Sequence, residues 1–288
     1  MKILVTGGSG FIGSHLIYKL LEHGHKVVAL TNTNESITET IKVDLADYSK
    51  VLNYLPEGLD CVFHLGSKVY RPDYKDLDPY NFSKVNTLGT LNLLKACKEK
   101  GCKKFIYGST FAVYGSCDLL PVNEDRYPNP LNFYSASKFA GELYTNLYSK
   151  MGLLKCINLR LGYVYGPGMN SAFVPSRFML NAIKAKDLEL IGTGQASSDF
   201  IYIDDVIEAF FCTLKKGIGT YNIGTGKEVK ILNLAKTIID VTDSKSKLSF
   251  REGKTQRFCM DVTKSRKELG FYPKFDLKLG IKSYFNNI

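Results

Sequence analysis

A tyrosine and a lysine stand four residues apart in the segment YSASK, as Tyr134 and Lys138. On a helix, two side chains with this spacing share one face, one turn apart. A nearby ammonium favours the phenolate, so we expect the pKa of Tyr134 to fall below its ordinary value of about 10. Lys138 could also reach the ribose hydroxyls of a bound dinucleotide. The pair therefore has the acid–base groups needed to interconvert an alcohol and a ketone beside a nicotinamide.

Only one other pair in the chain has this spacing, Tyr80 and Lys84. Tyr134 differs because it follows GSTFAVYG, a segment that begins where an apolar, strand-like run ends. Hydroxyl side chains at the carboxyl end of a strand lie where doubly wound sheets bind ligands. Ser109 or Thr110 could therefore share a reacting hydroxyl with Tyr134, and we predict Tyr134, not Tyr80, as the acid/base.

A glycine-rich loop stands at the start of the chain, in VTGGSGFIG. Gly7, Gly10 and Gly13 are spaced three apart, between an apolar run and a helical pattern. Glycine permits a tight turn and the close approach of a pyrophosphate, whose charge the free N–H groups and the dipole of the helix start stabilise. The alternative is a turn that only lets strand and helix pack closely. The position of the loop in a βαβ unit favours a dinucleotide site.

The ribose end of such a site lacks its usual carboxylate. The acidic residue that binds an adenosine ribose is expected at the end of the second strand, where Thr31 and Asn32 stand. These neutral side chains bind a 2′-hydroxyl weakly and do not repel a 2′-phosphate. No arginine stands there, and Lys42 is the nearest following cation in sequence. The predicted cofactor is therefore NAD or NADP, with NAD favoured.

Strand and helix patterns alternate through the first part of the chain. Apolar runs predict strands at 2–6, 26–30, 60–65, 103–107 and 156–161, and helical spacing predicts helices at 11–23, about 85–98 and 132–151. Further on, we predict helices at 173–186 and 204–214, with Asp204 as an N-cap, and strands at 187–192 and 221–223. This alternation predicts an α/β fold with a Rossmann-type doubly wound parallel sheet covered on both faces.

The composition is that of a soluble globular protein, with 44% hydrophobic and 23% charged residues among 288. No apolar run approaches the roughly 20 residues that span a bilayer, and MKILVTGGSG lacks the features of a signal peptide. The seven cysteines include no Cys-x-x-Cys pair, which predicts a reducing, cytoplasmic compartment and no metal site. The net charge is +10, but the lysines form no basic stripe. We expect no nucleic-acid or membrane partner, and an anionic small substrate fits the charge.

Nearly the whole chain resembles the extended short-chain dehydrogenase/reductases, in particular the nucleotide-sugar epimerase/dehydratase family. Besides the glycine loop, the shared motifs are VDLAD at 43–47, VFHLGS at 62–67, STFAVYG at 109–115, YSASK at 134–138, LRLGYVYGPG at 159–168, DFIYIDDV at 199–206, YNIGTG at 221–226 and KELGFYPKF at 267–275. The resemblance implies a Rossmann domain of residues 1–166 plus about 200–224. It also implies a smaller, interleaved substrate-binding lobe of about 167–199 and 225–288, a nucleotide-sugar substrate and a homodimer.

The resemblance assigns roles to individual residues. Tyr134 would be the acid/base, Lys138 would bind the nicotinamide ribose, and Thr110, rather than Ser109, would be the catalytic hydroxyl. The residues implied at the cofactor are Gly7, Gly10, Phe11, Ile12, Gly13, Thr31, Asn32, Asp44, Leu45, Leu65, Gly66, Asn86, Ser109, Tyr134, Lys138, Gly162 and Val164. Those implied at the substrate are Thr110, Tyr134, Tyr163 and Arg251. Arg251 would grip the substrate diphosphate with a bidentate guanidinium, and a surface arginine is the alternative.

Several positions depart from the pattern of the family. Family dehydratases follow the catalytic threonine with Asp-Glu, but Phe111 and Ala112 stand here, so we do not expect 4,6-dehydration. Tyr163 replaces an asparagine that contacts the phosphate of the nucleotide sugar, and Ser198 replaces an arginine. Two polar contacts to the substrate are therefore changed, which leaves the identity of the sugar open.

These features together predict a nucleotide-sugar 4-epimerase that acts through a transient 4-keto sugar. Tyr134 would take the proton of the 4-hydroxyl while hydride passes to the nicotinamide and then returns to the other face of the sugar. An alternative enzyme with the same pair is an NADPH-dependent nucleotide 4-keto-sugar reductase. An alternative of another class is a non-catalytic dinucleotide-binding sensor, but such proteins can lose the Tyr/Lys pair, which is intact here.

Overall fold

The computed structural model describes residues 1–32, 36–71, 77–253 and 255–288. Its strands are β1 (Lys2–Thr6), β2 (Lys26–Thr31), β3 (Glu39–Lys42), β4 (Cys61–His64), β5 (Lys104–Thr110), β6 (Lys155–Leu161), β7 (Tyr163–Tyr165), β8 (Leu188–Ile191), β9 (Ser197–Ser198), β10 (Phe200–Tyr202), β11 (Gly219–Ile223), β12 (Val229–Lys230) and β13 (Leu248–Arg251). Its α-helices are α1 (Phe11–Glu22), α2 (Tyr48–Tyr54), α3 (Pro79–Phe82), α4 (Gly89–Glu99), α5 (Phe133–Lys150), α6 (Val174–Ile183), α7 (Ile203–Lys215), α8 (Ile231–Thr242) and α9 (Leu277–Asn286).

Seven parallel strands form the central sheet, in the order β11-β6-β5-β4-β1-β2-β3. Successive residues of a strand point to opposite faces, so a sheet buried on both faces needs a helix layer on each. Ile3 and Val5 of β1 pack in one core with α1 and α7, while Leu4 packs in a second core with α2 and α4. The predicted α/β fold with a doubly wound parallel sheet is confirmed.

The chain leaves the central sheet at Gly162. The Gly162 N–H still donates to the carbonyl of Ile223 on β11, but the Tyr163 N–H donates to that of Asp199, and β7 then pairs with β10. A Cβ at position 162 would lie 2.9 Å from the Asp199 carbonyl oxygen, so the crossing requires a glycine. From here the chain builds a second group of elements, in which β8 pairs with β13 and β9 with β12.

The chain returns to the central sheet through α7 and β11, inside the predicted return segment of about 200–224. Phe178, Leu234 and Tyr284, from α6, α8 and α9, share one core with the sheet residues Ile106 and Ile157. The second group of elements therefore shares one continuous core with the sheet, and the exact domain boundaries stay a prediction.

Most predicted elements are present, with ends shifted by a few residues. The predicted strand 103–107 extends to Thr110, and the predicted helix 85–98 begins as a π-helix at 83–88 before it continues as α4. Asp204 is not the N-cap of α7. Tyr202 holds that position, and Asp204 lies in the first turn, where its carboxylate faces the positive end of the helix dipole.

Helix α5 carries the predicted acid/base and has a defined start. The Asn132 side chain accepts a hydrogen bond from the backbone N–H of Ser135 at 2.8 Å, and the Ser135 hydroxyl accepts one from the backbone N–H of Asn132. This capping box fixes the first turn, so Tyr134 is the second residue of a helix whose origin is set by its own sequence.

Candidate active site

A cavity of about 1040 Å³ opens where β1, β2, β4, β5 and β6 end, the edge at which doubly wound sheets bind ligands. The predicted site residues that line it are Gly7, Gly10, Phe11, Ile12, Gly13, Thr31, Asn32, Asp44, Leu45, Leu65, Gly66, Ser109, Thr110, Tyr134, Lys138, Gly162, Tyr163 and Val164. Two predicted residues do not line it, Asn86 and Arg251. The fold therefore brings residues as distant in sequence as Gly7 and Val164 into one cavity.

The glycine loop forms the wall of the cavity beside α1. Gly7 has a φ of +68°, and a Cβ at position 13 would lie 2.2 Å from the Gly7 carbonyl oxygen, so larger residues do not fit. The first N–H groups of a helix have no partner within it, α1 has no side-chain cap, and Phe11 and Ile12 line the cavity. This cradle of backbone N–H groups fits the pyrophosphate of a dinucleotide.

At the ribose end of the cavity, the side chains that end β2 are neutral, and two lysines lie on neighbouring segments. Thr31 is buried at the end of β2, and the parallel pairing with β3 places Lys42 directly opposite it. Asp44 lines the cavity, and one of its carboxylate oxygens lies 3.6 Å from the Lys84 ammonium. The second Tyr-x-x-x-Lys pair does not line the cavity, and Tyr80 is 83% exposed.

A buried relay that we did not predict joins the ends of β1 and β4. The Thr6 hydroxyl lies 2.6 Å from His64 Nδ1 and accepts hydrogen bonds from the backbone N–H groups of Leu65 and Gly66. His64 Nε2 lies 2.9 Å from the Thr90 hydroxyl. Burial holds the pKa of His64 well below its ordinary value, so the imidazole is neutral. Polar residues at the ends of two apolar strands were the available signal for this relay.

Asn86 acts behind the cavity wall rather than in it. Its buried side chain accepts a hydrogen bond from the Lys68 backbone N–H at 2.8 Å and donates to the Lys68 carbonyl at 2.9 Å. It also donates to the hydroxyl of Ser137, which precedes Lys138 on α5. The backbone of Lys68, a residue of the cavity wall, is therefore tied to the helix that carries the Tyr/Lys pair.

The Thr110 side chain lies beside the Tyr134 hydroxyl in the cavity wall. Burial raises the pKa of Tyr134 to about 12, and the Thr110 hydroxyl opposes this rise because it stabilises the phenolate. The predicted fall of this pKa below its ordinary value is therefore wrong for this structure, and the neighbouring ammonium is not what sets it. Desolvation raises the pKa because Tyr134 stands in the cavity wall, where neighbouring residues displace water from its hydroxyl.

Lys138 is 2% exposed, and its ammonium lies 4.1 Å from the centre of the Tyr107 ring. Burial lowers the pKa of Lys138 to about 7, while the carboxylate of Glu142 acts in the opposite direction. The lysine thus titrates near neutral pH.

Aromatic rings line the end of the cavity nearest Thr110. The Phe111 ring packs against that of Phe258 at a centroid distance of 4.7 Å and against that of Tyr163 at 6.2 Å. Tyr163 also packs on Phe200 at 5.0 Å. Ser198, where the family has an arginine, is buried, and its hydroxyl has no hydrogen-bond partner among the described residues. This end of the cavity is therefore more apolar than the pattern of the family implies.

Arg251 lies outside the cavity wall, on β13. Its Nε donates to a carboxylate oxygen of Glu189 on the neighbouring strand at 2.8 Å, and both side chains are more than half exposed. This position matches the surface alternative, and a contact with substrate diphosphate stays a prediction. Over the described ranges, no group of three or more His, Cys, Asp or Glu residues could hold a metal ion, and no helix is long and apolar enough to cross a membrane.

Comparison with known proteins identifies the family. The model of the NAD dependent epimerase/dehydratase family matches residues 3–224. The chain belongs to this family. It is an enzyme of the extended short-chain dehydrogenase/reductase type with a nicotinamide dinucleotide cofactor, as we predicted, and the glycine cradle described above fits that cofactor.

This epimerase/dehydratase is similar to UDP-glucose 4-epimerases along its whole length. It is 32% identical to the UDP-glucose 4-epimerase of Mycolicibacterium smegmatis, with 98% of this chain and 96% of that protein covered. The structure of the Thermotoga maritima UDP-glucose 4-epimerase with UDP-glucose superposes with a TM-score of 0.93 at 29% identity, covering 100% and 98% of the two chains. That of the Thermus thermophilus enzyme with NAD gives 0.91 at 30% identity, with the same coverage.

Proposed function

We propose that the protein is an NAD-dependent 4-epimerase of nucleotide sugars. The observation that carries this proposal is that Thr110 and Tyr134 lie beside each other in the wall of the cavity that also contains the glycine cradle. Tyr134 takes the proton of the sugar 4-hydroxyl and gives it back, and Thr110 shares the reacting hydrogen bond. When bound, NAD supplies the acceptor that takes the hydride from carbon 4 and returns it. Lys138 holds the ribose of the dinucleotide.

A UDP-sugar is the substrate class that we propose. The Mycolicibacterium smegmatis relative is a UDP-glucose 4-epimerase, and the Thermotoga maritima structure contains UDP-glucose. The side chains after Thr110 favour epimerisation over dehydration, because Phe111 and Ala112 have no titratable group that could remove a proton and expel water. The apolar ring of Phe111 in the cavity wall supports the same choice.

A 4-keto-sugar reductase is the second candidate, and one observation favours it. Thr31 and Asn32 present no carboxylate to the adenosine ribose, and Lys42 lies opposite Thr31 in the sheet. This arrangement does not repel the 2′-phosphate of NADPH, the usual reductant of a biosynthetic reductase. The reductase would use Tyr134 as a proton donor and would consume one dinucleotide per turnover.

The test uses the purified full chain with UDP-glucose and UDP-galactose. The proposal predicts their interconversion without added dinucleotide, together with dinucleotide absorbance in the protein as isolated. Tyr134→Phe should abolish turnover and leave the absorbance unchanged. Tyr80→Phe is the matched control, because Tyr80 stands in the second Tyr-x-x-x-Lys pair and is largely exposed. Stoichiometric loss of NADPH with a 4-keto sugar, and no interconversion, would establish the reductase instead.

A homodimer and a cytoplasmic location complete the proposal. Leu143 and Leu147 on α5 and Met151 at its C-cap follow one another at four-residue spacing and are each at least half exposed. An apolar face of this kind suits an interface between two copies of the chain. The cytoplasm is supported by the seven cysteines, which are all free although four of them share one buried core.

A further inference from the structure

A buried ion pair lies two helical turns from Tyr134, in a position that the proposed reaction does not use. Glu142 on α5 and Arg160 on β6 are almost completely buried, and the Arg160 Nε and Nη2 donate to the two carboxylate oxygens at distances of 2.7–3.1 Å. The free-energy cost of desolvating two charges can exceed the attraction between them. A buried ion pair is therefore weak evidence that the pair exists for stability. Its position therefore calls for a functional reason.

Helical spacing places the ion pair on the reacting face of α5. Tyr134, Lys138 and Glu142 are four residues apart and share one face of the helix. The Glu142 carboxylate also accepts a hydrogen bond from the Ser109 hydroxyl. Ser109 directly precedes Thr110, so one carboxylate ties the end of β5 to the helix that carries the acid/base. The relative position of Thr110 and Tyr134 depends on this tie.

Arg160 extends the contacts toward the C-terminal elements. Its Nη1 donates to the Tyr114 hydroxyl at 2.9 Å, and that hydroxyl donates to the Asn222 side chain at 2.7 Å. Asn222 in turn donates to the carbonyls of Val122 and Asp261. The pair is therefore linked through Tyr114 to β11 and to the loop segments at Val122 and Asp261.

The groups around Lys138 leave Glu142 as its counter-charge. Tyr134 on α5, Tyr107 on β5 and His64 on β4 are all neutral, because burial raises the pKa of both tyrosines and lowers that of the histidine. Glu142 on α5 is the carboxylate that acts to raise the pKa of Lys138. Arg160 on β6 offsets part of this charge, since it lies within hydrogen-bond distance of the same carboxylate.

We infer that Glu142 and Arg160 are positioning residues of the reacting wall. Their ion pair holds β5 against α5, and Glu142 is the counter-charge of the Lys138 ammonium that contacts the dinucleotide ribose, with Arg160 moderating that charge. This inference rests on the proposed function for the role of Lys138. A purely structural pair would affect folding without any effect on the pH at which Lys138 loses its proton.

The test measures the affinity of the full chain for labelled NAD by equilibrium dialysis across the neutral pH range. Affinity should fall as the pH rises through the value at which Lys138 loses its proton. Glu142→Gln removes the counter-charge and leaves Arg160 charged, so this midpoint should move to lower pH. Each pH unit of movement weakens binding about tenfold above the midpoint. Arg160→Met should move the midpoint in the opposite direction.

Asp240→Asn is the control. It removes the carboxylate of an exposed ion pair between Asp240 on α8 and Lys278 on α9. It should leave the midpoint unchanged. Thermal unfolding identifies any variant that does not fold. If either Glu142→Gln or Arg160→Met does not fold, the direction in which the remaining variant moves the pH midpoint of binding decides. Unchanged midpoints in folded variants would overturn the inference. The readout is binding, so it stays valid even if no UDP-sugar is epimerised.

Discussion

Thr31 and Lys42 lie directly opposite each other at the carboxyl ends of β2 and β3, although eleven positions separate them in sequence. Thr31 is buried in the cavity wall, and Lys42 stands on the exposed edge strand. The ribose end of the cofactor site thus pairs a neutral side chain with a neighbouring cation. This relationship allows a 2′-phosphate where a carboxylate at position 31 would repel it.

Thr31→Asp should therefore make the enzyme more selective for NAD over NADP. A carboxylate at the end of β2 accepts a hydrogen bond from the 2′-hydroxyl and repels a 2′-phosphate. We expect the ratio of the two dissociation constants to change by about tenfold or more, which corresponds to about 1.4 kcal/mol. Calorimetric titration with each dinucleotide measures it, and Thr31→Asn is the neutral control. An unchanged ratio would show that position 31 does not decide the choice.

Thr110→Val should slow turnover and move its pH dependence. The Thr110 hydroxyl lowers the pKa of Tyr134 against the effect of burial, so its loss raises that pKa further. The base form becomes scarcer at a given pH, and the rising limb of kcat therefore moves to higher pH. We expect a loss of about 10²-fold in kcat near neutral pH. Thr110→Ser retains the hydroxyl and should keep the wild-type profile, and equal losses in the two variants would contradict this role.

Gly13→Ala should abolish dinucleotide binding. The new Cβ would lie 2.2 Å from the Gly7 carbonyl oxygen, and the backbone has to move to relieve that contact. Gly10→Ala meets the same oxygen at 3.1 Å and should weaken binding less. Gly24→Ala is the control for backbone strain, since its φ is +73° and nothing lies within 4 Å of its Cβ. It should lower stability by about 1 kcal/mol and leave the dinucleotide absorbance of the isolated protein intact.

Asn132→Ala should lower both stability and activity. Loss of the capping box at the start of α5 costs about 1 kcal/mol, or about 2 °C in Tm for a chain of this size. The first turn carries Tyr134, so its fraying should also lower kcat. Asp276→Ala removes the cap of α9, where the Asp276 carboxylate accepts from the Leu279 N–H at 2.8 Å. It should lower Tm by a similar amount without any effect on kcat, and a matching loss of kcat would refute the special role of Asn132.

Leu147→Glu should convert a homodimer into a monomer. In a two-fold interface formed by the apolar face of α5, each copy would contribute one carboxylate, and both would lose their hydration. Light scattering after gel filtration gives the mass of the wild type and the variant. Leu279→Glu is the control, because Leu279 is exposed to a similar degree on α9. A wild-type chain that elutes as a monomer would remove the dimer from the proposal.

Local patterns predicted the strands and helices near the glycine loop and the Tyr/Lys pair, because these depend on neighbours within one or two turns. The edge strand β3 was missed because only Ile41 and Thr40 are even partly buried, so no apolar run marks it. The helix α8 was not predicted, although Leu234, Ala235 and Ile238 carry helical spacing. The likeness to a family extended the predicted site to about half of the residues that line the cavity.

The sequence by itself determined the α/β class, the glycine cradle and the shared face of Tyr134 and Lys138, since repeat spacing and glycine geometry act over short distances. Tertiary structure decided the rest. It placed Lys42 opposite Thr31 and Arg251 beside Glu189, because strand pairing brings together residues that are distant in the chain. It also raised the pKa of Tyr134, because desolvation depends on everything packed around a group and no local pattern records it.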